Sequence, residues 1–103
     1  MGWELVASTG DVPRGRVHVV DLDGRAIALC NVDGAFYAID DLCTHDGGPL
    51  DQGELDGTQI ECPRHGARFD VCTGRALTLP AVRPVHRYDV EVRGDQVYLD
   101  PES

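Results

Sequence analysis

Four residues in two short motifs carry the donor atoms of a possible metal centre. Cys43 and His45 form a C-x-H motif, Cys62 and His65 form a C-x2-H motif, and residues 46–61 separate them. Thiolates suit zinc and iron–sulfur clusters, whereas imidazole suits zinc, iron and copper. The motifs use two of the chain's four cysteines and two of its four histidines, and a glycine closely follows each histidine. This pairing predicts a centre with sulfur and nitrogen ligands from both motifs.

The same donors fit a structural zinc site, which is the competing interpretation. Zinc sites with two cysteines and two histidines usually contain a C-x2-C pair or two closely spaced histidines. Neither spacing occurs in this chain. An iron–sulfur centre is therefore favoured, and a zinc-stabilised interaction module without redox function is the alternative.

Short strands joined by tight turns are predicted for the scaffold. Asp-Gly pairs at 23–24, 33–34 and 56–57, together with Gly94-Asp95, are hairpin signals because glycine tolerates the positive φ of tight turns. No window carries a sustained apolar pattern at helical spacing, so the fold class is all-β, an antiparallel sandwich or barrel. The predicted strands are Trp3–Ala7, Arg16–Leu22, Ala26–Val32, Phe36–Ile39, Gln59–Cys62, Arg68–Val71, Val85–Arg93 and Val97–Leu99.

Two segments do not fit a plain sandwich. Residues 41–54 and 63–84 are polar and rich in glycine and proline, and loops of this kind on a β scaffold are common positions for functional sites. A length of 103 residues fits a single domain. We expect one domain over residues 1–103, with its metal-binding part at about 41–84.

Three stretches carry a family resemblance. CTHDGGPL and CPRHGARFD resemble the two cluster-binding boxes of Rieske proteins, and TGRALTLPAVRPV is similar to the family's proline-bearing loop. The resemblance implies the Rieske fold, an antiparallel β-sandwich with a small loop-rich cluster-binding subdomain, and one 2Fe–2S cluster per chain. By this resemblance Cys43 and Cys62 would bind one iron, and His45 and His65 the other.

Residues around the proposed cluster have predicted roles, the glycines from their backbone chemistry and the others from the same resemblance. Gly47, Gly48 and Gly66 suit tight loops, and their bare backbone would let amide N–H groups approach the cluster sulfurs. By the resemblance Pro80 would shield the cluster, and the alternative is that it only stiffens a turn. Gly48 and Arg64 occupy the positions where respiratory Rieske proteins carry a disulfide between the cluster loops, so that bridge cannot form here.

Ala67 and Phe69 predict a low reduction potential. High-potential Rieske proteins carry serine and tyrosine at these positions, whose hydroxyls donate to sulfur and stabilise the reduced state. Losing two such bonds lowers the potential by on the order of 100–200 mV.

The expected function is single-electron transfer. The small stand-alone members that this chain resembles serve ring-hydroxylating dioxygenases as ferredoxins. They carry electrons from a flavin-dependent NAD(P)H reductase to a terminal oxygenase and are not enzymes themselves. The Rieske-like small subunit of a nitrite reductase is the alternative within the same chemistry. We expect a monomer.

Charge excludes other classes of partner. The net charge of −9 disfavours binding to nucleic acid or an anionic membrane surface.

No apolar run approaches the roughly 20 residues of a membrane span, and the amino-terminal residues lack the pattern of a secretory signal, so a cytoplasmic location is expected. Residues 33–61 contain acidic residues and no basic one, which leaves open a solvated face or a docking surface.

The remaining cysteines and two aromatic residues are assigned structural roles. Cys30 lies in the apolar stretch AIALCNV and is predicted to be a buried free thiol, with Cys72 more exposed. Trp3 and Tyr88 are expected in the core.

Overall fold

The computed structural model describes residues 2–44, 47–64, 66–79 and 81–103. Within these ranges the chain forms strands, one 3-10 turn at Thr9–Asp11 and no α-helix, so none of the described residues belongs to a helix that could span a membrane. The all-β prediction is confirmed. The strands are β1 Glu4–Ser8, β2 Val17–Leu22, β3 Arg25–Val32, β4 Ala35–Asp40, β5 Leu55–Asp56, β6 Gln59–Glu61, β7 Arg68–Asp70, β8 Arg87–Tyr88, β9 Val90–Arg93 and β10 Gln96–Leu99.

The strands form antiparallel sheets in the orders β1-β10-β9, β2-β3-β4-β8 and β5-β6-β7. The first two sheets share one core, in which Val97 and Leu99 of β10 are buried with Ile27 and Leu29 of β3. This packing forms the sandwich, because each sheet buries one apolar face against the other.

The second sheet also buries its opposite face. Ala28 and Cys30 alternate with Ile27 and Leu29 along β3 and belong to a second core, together with Ile60 and Phe69 of the third sheet. Successive side chains of a strand point to opposite faces, so a strand that is covered on both sides is buried without interruption. The third sheet is thereby fixed against the sandwich, and it carries the second cysteine motif at its end.

The Asp-Gly hairpins at both ends of β3 are confirmed. Asp23 and Gly24 have φ of 53° and 84°, and Asp33 and Gly34 have φ of 52° and 96°. Positive φ at both central residues is the hairpin geometry whose twist matches that of the flanking strands.

The predicted strand Val85–Arg93 is wrong as a single element. β8 pairs with β4 in the second sheet, whereas β9 pairs with β10 in the first, and the chain changes sheets at Asp89. The Asp89 N–H donates to Ser103 Oγ at 2.7 Å, and its carbonyl accepts from the Asp100 N–H at 3.2 Å. The alternation of side chains with a period of two continues through this change of sheet. The sequence pattern therefore could not indicate that the strand ends at Asp89.

Two further sequence expectations have opposite outcomes. Tyr88 is buried, as predicted, whereas Trp3 is 38% exposed just before β1, so its assignment to the core is wrong. The short strand β5 was not predicted, because two residues carry no periodicity.

Candidate metal centre

The first cysteine motif lies in a loop closed by two backbone hydrogen bonds. The Cys43 N–H donates to the Gly48 carbonyl at 2.7 Å, and the Gly47 N–H donates to the Cys43 carbonyl at 2.8 Å. Gly47 has a φ of 77°, which a residue with a Cβ rarely adopts. The glycine therefore allows the chain to turn back directly after the motif.

The second motif lies in a loop of the same construction. The Cys62 N–H donates to the Ala67 carbonyl at 2.6 Å, the Gly66 N–H donates to the Cys62 carbonyl at 3.0 Å, and Gly66 has a φ of 75°. Each cysteine is the first residue of a six-residue turn, and the fifth residue of the turn is a glycine with positive φ. The tight-loop prediction for Gly47 and Gly66 is confirmed.

Both cysteines point into one core. Cys43 and Cys62 are completely buried in the core shared by the second and third sheets, and neither forms a disulfide. Two buried thiols at the head of matching turns fit the sulfur ligands of an iron–sulfur cluster, since thiolates are its usual ligands. His45, His65 and Pro80 lie outside the described residues.

Asp41 closes the base of the first cysteine loop. Its Oδ1 accepts the N–H groups of Leu50 and Asp51, each at 2.8 Å. Burial raises the pKa of Asp41, and the hydrogen bonds from these amides oppose the rise. The sequence reasoning missed this residue, although an aspartate that precedes a polar loop commonly bonds to backbone amides.

Gly53 brings the two cysteine-bearing segments into contact. A Cβ at this position would lie 1.7 Å from the carbonyl oxygen of Glu61, the residue before Cys62. The Glu61 N–H also donates to the Glu54 carbonyl at 3.0 Å. Only glycine permits this approach, and no spacing in the sequence indicated it.

A third loop repeats the same turn without a cysteine at its head. The Asp70 N–H donates to the Arg75 carbonyl at 2.9 Å, and the Gly74 N–H donates to the Asp70 carbonyl at 2.7 Å. The Asp70 carboxylate accepts the Cys72 N–H at 2.7 Å. The Asp70 carboxylate thus stabilises this turn. The Gly74 carbonyl accepts the Val85 N–H at 2.8 Å, and this bond fixes the end of the proline-bearing segment.

The proline-bearing segment is tied to the first cysteine loop. Thr44 Oγ1 donates to the Arg83 carbonyl at 2.7 Å. Ala81 is buried in the same core as the cysteines, whereas Leu79 and Val82 on either side of it are 78% and 76% exposed. The segment therefore covers the core with Ala81 and presents apolar side chains outwards.

Two residues that bear on the potential lie in the same core. Ala67 and Phe69 are completely buried among the cysteines, and neither side chain can donate a hydrogen bond.

The other cysteines are placed as predicted. Cys30 is completely buried and free, and burial raises the pKa of its thiol to about 12. Cys72 is partly exposed, and burial also raises the pKa of its thiol.

Several acidic residues of the stretch 33–61 have partners within the chain. Asp33 pairs with Arg14 at 3.0 Å, and Asp40 accepts the Tyr88 hydroxyl at 2.6 Å. Glu61 pairs with an arginine of β7, described below. These contacts offset part of the negative charge of the stretch.

Comparison with known proteins decides the family. The model of the Rieske [2Fe-2S] domain matches residues 2–89. The chain belongs to the Rieske family. It therefore carries one Rieske 2Fe–2S cluster.

Relatives of this Rieske domain are ferredoxins of dioxygenase systems. It is 42% identical over 98 residues to the ferredoxin component of the naphthalene 1,2-dioxygenase system of Pseudomonas aeruginosa, covering 95% of this chain and 94% of the relative. The ferredoxin of carbazole 1,9a-dioxygenase from Nocardioides aromaticivorans superposes with a TM-score of 0.93 at 36% identity, covering 98% of this chain and 99% of that one.

A third relative is seen in a complex. A chain in the complex of reduced oxygenase and oxidized ferredoxin in carbazole 1,9a-dioxygenase superposes with a TM-score of 0.88 at 39% identity, covering 94% of this Rieske domain and 91% of that chain. The Rieske fold and the electron-transfer role predicted from the sequence are confirmed.

Proposed function

We propose that this Rieske domain is the ferredoxin of a ring-hydroxylating dioxygenase system. It takes single electrons from a flavin-dependent NAD(P)H reductase and delivers them to the terminal oxygenase. The three relatives described above belong to dioxygenase systems, which favours this assignment over the small subunit of a nitrite reductase. The family match likewise favours the 2Fe–2S cluster over a zinc-stabilised module.

Cys43, His45, Cys62 and His65 are the proposed cluster ligands. The observation that supports this assignment most strongly is the pair of matching turns that place both thiols in one buried core. The bound cluster supplies one-electron redox chemistry. Asp41 closes the first cysteine loop by accepting the amides of Leu50 and Asp51, and burial excludes water from both thiols.

Neighbouring residues are proposed to protect and tune the cluster. The left-handed Gly47 and Gly66, with buried Gly48, would allow amide N–H groups to approach sulfur. Pro80 would shield the cluster from solvent, supported by the burial of the adjacent Ala81. The buried Ala67 supports a low potential, because its side chain donates no hydrogen bond.

We further propose one domain over residues 1–103, with its cluster-binding part at about 41–84. The cores join all three sheets within the described ranges, and the second core lies between the sandwich and the cysteine loops. We also propose that the protein works as a cytoplasmic monomer. Cys30 and Cys72 form no disulfide, as is usual in a reducing compartment.

Single ligand variants test the site directly. Cys62→Ala should lose the visible absorption, iron and acid-labile sulfide of the purified protein, because cluster binding needs the thiolate. The matched control is Cys30→Ala, which removes an equally buried thiol from the same core and should retain the spectrum. If Cys30→Ala lost the cluster and Cys62→Ala kept it, the ligand assignment would be wrong.

The proposed docking surface consists of the exposed side chains of Leu42, Leu79 and Val82. Leu42 immediately precedes Cys43, and the other two lie on the outer side of the segment that covers the cysteines. A small apolar surface suits the weak, short-lived complexes of electron carriers. An oxygenase that docks here would receive the electron over a short path.

Leu79→Ser tests this surface. It should raise the KM of the oxygenase for the ferredoxin about tenfold, the equivalent of about 1.4 kcal/mol, and leave the reduction potential unchanged. The control is Leu5→Ser, which removes a 54% exposed leucine from β1. Equal KM values for the two variants would place the docking surface elsewhere.

A further inference from the structure

Glu61 and Arg68 form the last pair of residues before the second cysteine loop. They are register partners at the end of the β6–β7 hairpin, and Arg68 Nη2 donates to Glu61 Oε1 at 2.9 Å. The next backbone contact along the hairpin is the bond from the Cys62 N–H to the Ala67 carbonyl, which closes the loop. The ion pair therefore lies directly next to the backbone hydrogen bond that closes this loop.

The Glu61 carboxylate lies against the loop itself. A Cβ added to Gly66 would be 3.9 Å from Glu61 Oε2, and Gly66 directly follows His65. A carboxylate at this place opposes the arrival of an electron at a nearby centre, because two negative charges repel.

Arg68 offsets that charge. Its guanidinium also contacts Gln59 Oε1 at 3.3 Å and lies 3.8 Å from Asp56 Oδ2. Its backbone reaches the proline-bearing segment, since the Arg68 N–H donates to Thr78 Oγ1 at 2.9 Å. The side chain of Arg68 is 35% exposed and that of Glu61 is 41% exposed, so both charges are only partly screened by solvent.

We propose that the Glu61–Arg68 pair tunes the reduction potential of the cluster, with Glu61 lowering it and Arg68 raising it. This role rests on the proposed ligation of the cluster by Cys62 and His65. A half-exposed ion pair contributes little to stability, so the main effect of the pair is electrostatic. The proposal predicts opposite signs for the two single variants, which a purely structural role would not produce.

The experiment is protein-film voltammetry of the loaded protein at low ionic strength. Glu61→Gln should raise the midpoint potential and Arg68→Gln should lower it. At the wild-type midpoint, the ratio of reduced to oxidised protein should change about two- to fivefold in each case, the equivalent of about 20–40 mV. The potential of the double variant should return close to the wild-type value. Salt at 0.5 M should reduce both shifts, because the Debye length is shorter at high ionic strength.

Two controls separate charge from structure. Arg68→Lys retains the positive charge and should keep a near-wild-type potential. The second control is the pair Arg14–Asp33, which has a similar separation of 3.0 Å. Asp33 lies in the turn before β4, and the other end of this strand, about 20 Å away, leads into the first cysteine loop. Its side chain is 88% exposed, so Asp33→Asn should leave the potential unchanged.

Shifts of the same sign in Glu61→Gln and Arg68→Gln would overturn the proposal, as would two unshifted potentials. If either glutamine variant fails to hold a cluster, the potentials of Glu61→Asp and Arg68→Lys are measured instead. Both of these variants retain the charge, so a large shift of the potential in either one contradicts the proposal. A wrong ligand assignment gives a different result, because Cys62→Ala would then keep its cluster. That result does not depend on the reduction potentials of the Glu61 and Arg68 variants.

Discussion

Replacing Gly53 with alanine is expected to destabilise the fold and the cluster together. The new Cβ would lie 1.7 Å from the carbonyl oxygen of Glu61 and 3.2 Å from that of Leu50, against an ordinary contact of 3.4–4 Å. Both neighbours are backbone atoms, so no side chain can rotate away. Overpacking commonly costs 1–3 kcal/mol, and we expect about 3 kcal/mol here because two chain segments must separate. For a domain of this size that loss lowers the Tm by about 12–24 °C.

Thermal unfolding of the loaded protein, followed by circular dichroism and by the visible absorption of the cluster, measures this effect. Two glycines serve as matched controls. Gly10 has open space around it, so Gly10→Ala should change stability by less than about 0.5 kcal/mol. Gly57 also has open space but a φ of 58°, so Gly57→Ala should cost about 1 kcal/mol from backbone strain alone. If Gly53→Ala were as stable as Gly10→Ala, the close contact between the two cysteine-bearing segments would be refuted.

Three further predictions concern the surroundings of the cluster and the sandwich. Phe69→Tyr, which places a hydroxyl in the core of the cysteines, should raise the reduction potential by up to about 130 mV; voltammetry that shows an unchanged or lower potential would contradict the hydrogen-bond account. Thr44→Val removes the donor to the Arg83 carbonyl and should shorten the lifetime of the cluster in the presence of a chelator, whereas an unchanged lifetime would show that this contact is dispensable. Burial and the hydrogen bond to Asp40 raise the pKa of Tyr88 to about 12, above its value in the unfolded chain. The protonated Tyr88 hydroxyl therefore makes its full contribution to the free energy of unfolding below about pH 10, and this contribution is lost as the pH rises towards 12. The free energy of unfolding should therefore fall less between pH 10 and 12 in Tyr88→Phe than in the wild type, and equal slopes would refute the raised pKa.

Local chemistry explains what the sequence could predict. The donor set at Cys43 and Cys62 is visible as residue types at short spacing, and the glycines that follow are required by the turn itself. Cys30 could be placed in the core because its neighbours are apolar. Each of these inferences depends on residues close together in the chain.

Contacts between distant segments could not be predicted in this way. The need for glycine at position 53 arises from Glu61, and the role of Asp41 depends on amides at positions 50 and 51. The change of sheet at Asp89 depends on residues of the carboxyl-terminal segment, while the alternating pattern runs on across it. The third turn, headed by Asp70, has no cysteine to mark it and became visible only through its hydrogen bonds.

Electron spin-echo measurements on the reduced protein test the central claim most directly. Nitrogen nuclei bound to iron couple to the unpaired electron, so protein labelled with ¹⁵N-histidine should show two coupled histidine nitrogens per cluster. The couplings should persist in His18→Ala and His86→Ala, whose histidines are exposed on the surface. A reduced protein without histidine coupling, or a colourless protein with one bound zinc, would contradict the ligation of a Rieske cluster by Cys43, His45, Cys62 and His65.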